Sequence, residues 1–210
     1  KVSANIGFAL GYISSGVGGG TQVHSPAIDG GNVYAAIDST TGGQNRIAAR
    51  QLNGSMIPSW AQLNLPGTEK AIGNPVIQGG NLYVSTDQGN VHKYDKMLGG
   101  NTPIASFASG SANNLTMPVF DGTDFYVGQA NGNLHKVDST TMNSDASWTT
   151  PPSAAGPIGA PPLVVGNEVY VGSPGRVQGF EAPVPSTTIS DQNVAPLNNY
   201  AVSHSVGDNI

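Results

Sequence analysis

The sequence contains no cysteine and few charged residues. Its 210 residues include 8 Lys and Arg against 13 Asp and Glu, which gives a formal net charge of −5. The absence of cysteine excludes disulfide bonds, thiolate metal sites, iron–sulfur clusters and a covalently attached c-type haem. A disordered acidic tail, a coiled coil and a long helical bundle all need more charge than this chain carries, so these classes are excluded as well.

The low basic content also limits the partners that the chain can bind. Binding to DNA or RNA requires a patch of Lys and Arg that replaces phosphate counterions, and the 8 basic residues are scattered. The longest apolar stretch, residues 6–13, contains two glycines and is far shorter than the roughly 20 residues of a membrane span. We therefore expect no nucleic-acid partner and no membrane span.

Ser, Thr, Asn and Gly are abundant while Lys and Glu are scarce, a composition typical of exported proteins. We therefore expect an extracellular, cell-surface or periplasmic location. Because residue 1 is Lys rather than Met, we also expect a processed mature form or a fragment of a longer protein.

One sequence pattern occurs four times along the chain. Each copy has a proline followed eight residues later by a tyrosine, and successive prolines are 49, 43 and 44 residues apart. The four pairs are Pro26 and Tyr34, Pro75 and Tyr83, Pro118 and Tyr126, and Pro162 and Tyr170. Between them lie Gly- and Asn-rich turns such as residues 29–32 and 78–81, flanked by apolar residues. Gly and Asn accept the positive φ of tight hairpin turns, so each copy predicts a β-hairpin.

Two further strands follow each predicted hairpin. Residues 89–95 and 132–138 are nearly identical, and residues 175–181 are a looser version of the same segment. An aromatic residue near the end of a unit, namely Trp60, Phe107 or Trp148, indicates a fourth strand. Four short antiparallel strands in about 45 residues is typical of a β-propeller blade. We therefore expect an all-β fold, a small β-propeller of four blades with four antiparallel strands each.

These repeats divide the chain into three parts. Residues 1–24 form an N-terminal strand segment, residues 25–181 form the four blades (25–73, 74–116, 117–160, and 161–181 onward), and residues 182–210 form a C-terminal strand segment or tail. Apolar residues alternate with small ones in residues 6–13 and 200–206, which predicts a strand at each end. Three interpretations of these ends remain open. They form a composite fifth blade, they pair with the next subunit in a head-to-tail polymer, or the chain is part of a larger ring.

The repeat resembles that of the quinoprotein-dehydrogenase-like superfamily, also called the PQQ-like repeat. Residues 73–95 fit its pattern best, and residues 138–148 look like a looser form of its Asp–x–x–Thr–Gly…Trp ending. The resemblance covers about residues 24–181. It implies a propeller fold. It does not imply one activity, because the superfamily includes both quinone-dependent dehydrogenases and scaffolds that bind no quinone.

The histidines and aspartates are the candidate metal ligands. His92 and His135 occupy equivalent positions in two repeats, where side chains diverge, so we expect a packing or surface role and not a metal pair. His24 and His204 would approach each other only if the two ends pair. The aspartates lack the spacing of a calcium loop, and we expect them to bond to their own backbone. Those in hairpin turns are Asp29, Asp121 and Asp124, and those expected to end the third strand are Asp38, Asp95 and Asp138.

No catalytic motif occurs in the sequence. There is no G-x-S-x-G, H-E-x-x-H or P-loop, and the calcium ligands and aspartate base of the quinone-dependent dehydrogenases cannot be placed on this chain. We therefore predict no catalytic, cofactor-binding or metal-binding residue and no cofactor. The repeat spacing of Trp60, Phe107 and Trp148 favours packing between blades over stacking on sugars.

These observations favour a non-enzymatic extracellular or cell-surface scaffold. Its partners would be proteins, with copies of itself in a filament or sheath, joined through the terminal strands, as one form of assembly. Two alternatives remain open, a fragment of a quinoprotein dehydrogenase and a carbohydrate-binding adhesin.

Overall fold

The computed structural model describes residues 21–39, 44–145, 148, 156–181 and 188–193, and the regular structure in these residues is entirely β. In chain order, the strands are β1 (Thr21–Val23), β2 (Ala27–Asp29), β3 (Asn32–Ser39), β4 (Arg46–Gln51), β5 (Leu63–Asn64), β6 (Val76–Gln78), β7 (Asn81–Ser85), β8 (Asn90–Asp95), β9 (Ala105–Ala108), β10 (Val119–Asp121), β11 (Asp124–Gly128), β12 (Leu134–Asp138), β13 (Leu163–Val165), β14 (Glu168–Ser173), β15 (Arg176–Glu181) and β16 (Thr188–Asn193). None of the described residues belongs to a helix long and apolar enough to cross a membrane.

The strands form four antiparallel sheets, which we call blades 1 to 4. Blade 2 pairs β6, β7, β8 and β9 in that order, and blade 4 pairs β13 to β16 in the same way. In blade 1, β1 and β2 pair with successive stretches of β3, and β4 and β5 follow. Blade 3 has β10, β11 and β12, and a bridge between Val137 and Ser144 takes the place of a fourth strand. The predicted all-β fold built from four repeats is confirmed.

The hairpin turns have the conformation that their residues predict. Gly30, Gly31 and Gly79 have φ angles of +54°, +80° and +59°, which other residues adopt only with strain. The flanking pairs are in register, with Ile28 opposite Val33 in blade 1 and Ile77 opposite Leu82 in blade 2.

Three details of the blades differ from the sequence prediction. Trp60 and Trp148 both lie outside any strand, so the aromatic position marks the fourth strand only in blade 2, where Phe107 lies in β9. Asp38 lies near the end of β3, the second strand of its blade, because the third strand β4 begins only at Arg46. The fourth strand of blade 4 is β16, which carries no aromatic residue and lies within the predicted tail. The strands predicted at residues 6–13 and 200–206, and hence the composite fifth blade, lie outside the described residues.

The blades stack face to face in chain order. The face that carries the repeated tyrosine, here called the Tyr face, packs against the opposite face of the next blade. Side chains alternate between the two faces of a strand, so the residues on either side of each tyrosine point to the preceding blade. Three apolar clusters fill the three joints, and their central residues are Tyr34, Ile47, Leu82 and Val84 in the first, Tyr83, Val91, Phe125 and Val127 in the second, and Tyr126, Leu134, Val169 and Val171 in the third.

The first strands of neighbouring blades contact each other. β2 contacts β6, and β10 contacts β13. The blades therefore approach each other along their first strands, and the outer strands β5, β9 and β16 lie at the opposite edges of their sheets. This is the arrangement expected of blades placed around a common axis.

Candidate functional site

Buried polar residues join each blade to the next. Asp38 accepts hydrogen bonds from the His24 ring at 2.8 Å and from the Ala71 backbone N–H of blade 2 at 3.2 Å. At the later joints the chain entering the next blade again donates a backbone N–H, from Leu115 to the Thr86 carbonyl at 3.4 Å and from Ile158 to the Gln129 carbonyl at 3.1 Å. These contacts satisfy groups that would otherwise be buried without a partner, so this row of polar residues is a structural joint.

His92 is a further buried polar residue, and it lies in blade 2. Its Nε2 lies 2.8 Å from the Glu69 carboxylate, and its Nδ1 lies 2.7 Å from the Ser106 hydroxyl. A carboxylate only accepts, so Nε2 donates to Glu69. Ser106 is directly opposite His92 in the pairing of β8 with β9. The Ser–His–Glu order resembles a hydrolase relay, and its contacts tie the loop at Glu69 to β8 and β9.

His135 occupies the equivalent position in blade 3 and has different partners. Its ring lies 5.3 Å from the Phe107 ring of blade 2, and its Nε2 lies 3.2 Å from the Gln129 side-chain oxygen. Burial lowers the pKa of His135 from 6.5 to about 4, so the ring is neutral at physiological pH. The structure thus places His92 and His135 in separate joints, each with its own partners. His204, the predicted neighbour of His24, lies outside the described residues.

The aspartates at the ends of third strands bond to their own backbone, as predicted. The Asp95 carboxylate accepts from the N–H groups of Met97 and Leu98 at 2.7 and 2.9 Å. The Asp138 carboxylate accepts from the N–H groups of Thr140 and Thr141 at 2.9 and 2.7 Å, and these bonds lower the pKa of Asp138.

Two of the turn aspartates make ion pairs, which the sequence did not predict. Asp29 in blade 1 pairs with Lys96 of blade 2 at 2.6 Å, and Asp124 pairs with Lys136 inside blade 3 at 3.2 Å. Within the described part of the chain, no three His, Asp or Glu side chains converge on a point where a metal ion could bind.

The repeated aromatic residues pack between blades, as predicted. Phe107 and Trp148 are buried in the second and third apolar clusters, and the Trp148 Nε1 donates to the Leu134 carbonyl at 3.1 Å. Trp60 packs against the first cluster, with its ring 5.8 Å from that of Tyr34. The enclosed rings of Phe107 and Trp148 do not present a stacking surface for a sugar, whereas the Trp60 ring is only partly buried.

A shallow pocket lies beside β4 in blade 1. Its volume is about 170 Å³, and Arg46, Arg50, Met56, Trp60 and Gln62 are among the residues that line it. Pockets that enclose a drug-sized ligand or cofactor measure about 300–1,000 Å³, so this one holds at most a small group.

The most unusual surface is the Tyr face of blade 4. Val177 is 45% exposed, whereas the residues at its position in blades 1, 2 and 3, Ile47, Val91 and Leu134, are 1%, 0% and 1% exposed. On β13 of the same face, Leu163 and Val165 are 60% and 55% exposed. In the other blades the next blade covers this face. Here these three apolar side chains are exposed, and we call this surface the blade 4 face.

The opposite face of blade 1 is largely buried, since Val33, Ala35 and Ile37 on it are 1%, 0% and 1% exposed, and only Ile28 at its edge differs from the internal joints. Ile28 is 54% exposed, whereas its equivalents Ile77, Phe120 and Val164 pack against the three apolar clusters. We call the surface around Ile28 the blade 1 face. Arg46 and Arg50 lie on the same side of blade 1, opposite Ile37 and Val33 in the pairing of β3 with β4.

The sequence analysis missed these two faces, although one signal was present. At the third position after the repeated proline, the first three copies have Asp29, Gln78 and Asp121, and the fourth has Val165. An apolar residue there marks a blade whose face differs from the others. Glu69 and Gln129 were also missed, because they lie outside the repeated pattern and no motif distinguishes them.

Comparison with known proteins identifies the fold and no family. No protein-family model matches the chain, and no curated protein matches it. Among solved structures, the chain is similar to BamB from Moraxella catarrhalis, with a TM-score of 0.57 and 18% identity over 80% of this chain and 52% of that one. It is also similar to the computationally designed Ika4 protein, with a TM-score of 0.57 and 14% identity over 76% of this chain and 91% of that one.

A third similarity is to a chain of the Mitotic Checkpoint Complex, with a TM-score of 0.60 and 14% identity over 83% of this chain and 53% of that one. The chain therefore spans about half the length of BamB and of the checkpoint protein. Together with the four stacked antiparallel sheets, these similarities show that the fold is a β-propeller.

Proposed function

We propose that this chain is a protein-interaction scaffold that works outside the cytoplasm, has no catalytic activity of its own and assembles with copies of itself. The observation that carries the proposal is the blade 4 face, where Leu163, Val165 and Val177 are about half exposed. Contiguous exposed apolar surfaces of soluble proteins are commonly binding sites for other proteins.

The proposal also includes a location outside the cytoplasm and membership of the PQQ-like superfamily. The composition is typical of exported proteins, and the repeat pattern of residues 73–95 resembles the PQQ-like repeat. The similarity to BamB supports a scaffold of this type.

The dehydrogenase alternative requires a site for pyrroloquinoline quinone and calcium. The described residues do not fit that site, because no acidic cluster converges on one point and the pocket at β4 is too small for the quinone. A ligand that binds the native state raises the melting temperature, so a rise with the quinone and calcium added together would restore this alternative. We expect no rise.

Sedimentation velocity of the purified chain over a wide range of protein concentration tests the proposed assembly. Apolar contacts between copies predict that the sedimentation coefficient rises with concentration. A single monomer boundary at every concentration would contradict self-assembly.

The same experiment distinguishes assembly through terminal strands from assembly through the faces of the blades. A synthetic peptide of residues 1–20, added in excess, would compete with strand exchange between copies, since an unpaired strand can pair with any matching edge. Loss of the larger species with the peptide would support joining through terminal strands. No effect would support joining through the faces of the blades.

A further inference from the structure

We infer that the pocket beside β4 in blade 1 binds an acidic segment of a partner protein, and that Arg46 and Arg50 bind a carboxylate of that segment. The site is separate from the blade 4 face. The inference rests on the proposed role as a protein-interaction scaffold, and it does not depend on self-assembly.

The pocket exists because β5 covers only the first part of β4. β5 pairs with Arg46 and Ile47, and beyond Ile47 no described strand lies along the outer edge of β4. The chain before β5 turns towards blade 2 instead, since Ala61 forms a bridge with Gly99. Gly99 permits this approach, because a Cβ there would come within 3.0 Å of the Trp60 ring. The space left beside β4 is the pocket.

Two arginines of β4, Arg46 and Arg50, line this pocket. They are half-buried, unlike Val33 and Ile37 opposite them in β3, so this outer part of blade 1 remains accessible. Within the described residues neither guanidinium makes an ion pair, whereas two of the lysines pair with aspartates. The positive charge at the pocket is therefore not neutralised by the described part of the chain.

The contacts of the two arginines leave them able to bind a carboxylate. Nη1 of Arg50 donates to the Ala49 carbonyl at 2.9 Å, which uses only one of the N–H groups of this guanidinium. Nε of Arg46 is buried and has no hydrogen-bond partner among the described residues. A partly buried cation without a counter-ion is costly, so an entering carboxylate offsets part of this cost. Contacts between Arg and a carboxylate are charge-assisted and are among the strongest hydrogen bonds of proteins.

The rim of the pocket offers apolar contacts to the rest of the segment. Met56 on this rim is 64% exposed, and the Trp60 ring is only partly buried. Leu98 of blade 2 is 55% exposed, and its carbonyl accepts from the Ala61 N–H at 2.8 Å, so it lies beside the same loop. Trp, Met and Arg are enriched at protein interfaces. The composition of the site therefore favours a protein segment as the occupant.

The size and charge of the pocket select an acidic side chain of that segment. A volume of about 170 Å³ accommodates a carboxylate group but no cofactor. The chain carries a net charge of −5 and only 8 basic residues, so two unpaired arginines at one pocket are an exception. An acidic segment is repelled by most of this chain and attracted at the pocket, which directs it to this site.

Fluorescence anisotropy with two labelled peptides tests the inference. One peptide alternates glutamate and leucine, and the other has glutamine in place of every glutamate. We expect the unchanged chain to bind the glutamate peptide at least about tenfold more tightly, because only this peptide can pair with the arginines. Added salt should weaken this binding, since the site is partly exposed.

Single variants locate the site. Arg46→Gln and Arg50→Gln each remove one charge from the pocket and should weaken binding of the glutamate peptide about tenfold or more. Arg176→Gln is the matched control, because it removes the same charge from β15 in blade 4, and it should bind as the unchanged chain does. Met56→Ser should weaken binding less, and its exposed position keeps the test open if an arginine variant does not fold. Circular dichroism checks the folding of each variant.

The other outcomes overturn the inference. Equal binding of the two peptides would mean that apolar contacts alone bind them. Unchanged binding by the folded arginine variants would place the site elsewhere. Displacement of the glutamate peptide by galacturonate oligomers at a lower concentration than by unlabelled peptide would identify an acidic sugar as the ligand. If neither peptide binds, the pocket is not a site for acidic segments, while self-assembly is still decided by sedimentation velocity.

Discussion

At the scale of single residues, the repeated tyrosine does two things in the first two joints. Its ring fills the apolar cluster between two blades, and its hydroxyl donates to a carbonyl of the next blade, as Tyr34 does to Lys96 at 2.9 Å. Burial raises the pKa of Tyr34, and it raises the pKa of Tyr126 to about 12, so both hydroxyls remain protonated donors throughout the neutral range.

Removing the Tyr34 hydroxyl measures how much its hydrogen bond stabilises the joint between blades 1 and 2. Tyr34→Phe keeps the ring and removes one hydrogen bond, so we expect the free energy of unfolding to fall by about 1 kcal/mol. Urea unfolding monitored by circular dichroism measures the change. Tyr170→Phe is the control, because its hydroxyl bonds only within blade 4 in a single copy, and at low protein concentration we expect a smaller loss. An equal loss in both variants would contradict the role of the joint.

His135 makes the stability depend on pH. Its pKa is about 4 in the folded chain against 6.5 ordinarily, so between these values the unfolded chain binds more protons than the folded one. Stability therefore falls as the pH is lowered from 6.5 towards 4, by at most about 3 kcal/mol, and this contribution is fully present above pH 6.5.

The measurement is urea unfolding of the unchanged chain and of His135→Gln at several pH values. Gln does not titrate, so the difference in stability between the two proteins should narrow as the pH falls through this window. A constant difference would show that burial does not control the protonation of His135.

At the scale of strands, much of the fold could be predicted because it depends on local rules. The prolines, the Gly-Asn turns and the alternation of apolar residues locate the hairpins, and β6 to β9 follow the expected order. The fourth strand was harder to predict, because β5 and β16 are defined by pairing with the strand beside them. A strand that is determined by its neighbour has no distinctive sequence pattern of its own. The prediction from Trp60 therefore placed the fourth strand of blade 1 before its actual position at β5.

The burial of each blade face could not be predicted for a similar reason. A sequence shows which residues share a face, but burial of that face depends on whether another blade covers it. Leu134 and Val177 occupy the same repeat position, and only the structure shows that one is buried and the other exposed. The hydrogen-bond partners of His92 and His135, Glu69 and Gln129, are likewise determined by how the blades stack.

These two equivalent positions compare truncation to alanine in a buried and in an exposed setting. Leu134→Ala empties space in the third cluster and should lower the free energy of unfolding by about 2–5 kcal/mol. Val177→Ala should change it by less than about 0.5 kcal/mol in a single copy, because the side chain is already exposed. Urea unfolding at low protein concentration measures both. A large loss for Val177→Ala would mean that this face is covered within one copy.

At the scale of the whole molecule, the exposed face of blade 4 repeats the chemistry of the internal joints. Each internal joint combines an apolar cluster with polar contacts, such as the Asp29–Lys96 ion pair at 2.6 Å in the first. Blade 4 presents Leu163, Val165 and Val177 on the face that the next blade covers elsewhere. This face can bind another protein or a copy of this chain without any terminal strand.

Sedimentation velocity of Val177→Glu, over the same range of protein concentration as for the unchanged chain, tests this claim most directly. A charge on the blade 4 face should keep the variant monomeric where the unchanged chain forms larger species. Ile104→Glu is the control, because Ile104 is 59% exposed beside β9, and it should assemble as the unchanged chain does. Equal assembly of Val177→Glu and the unchanged chain would contradict the account.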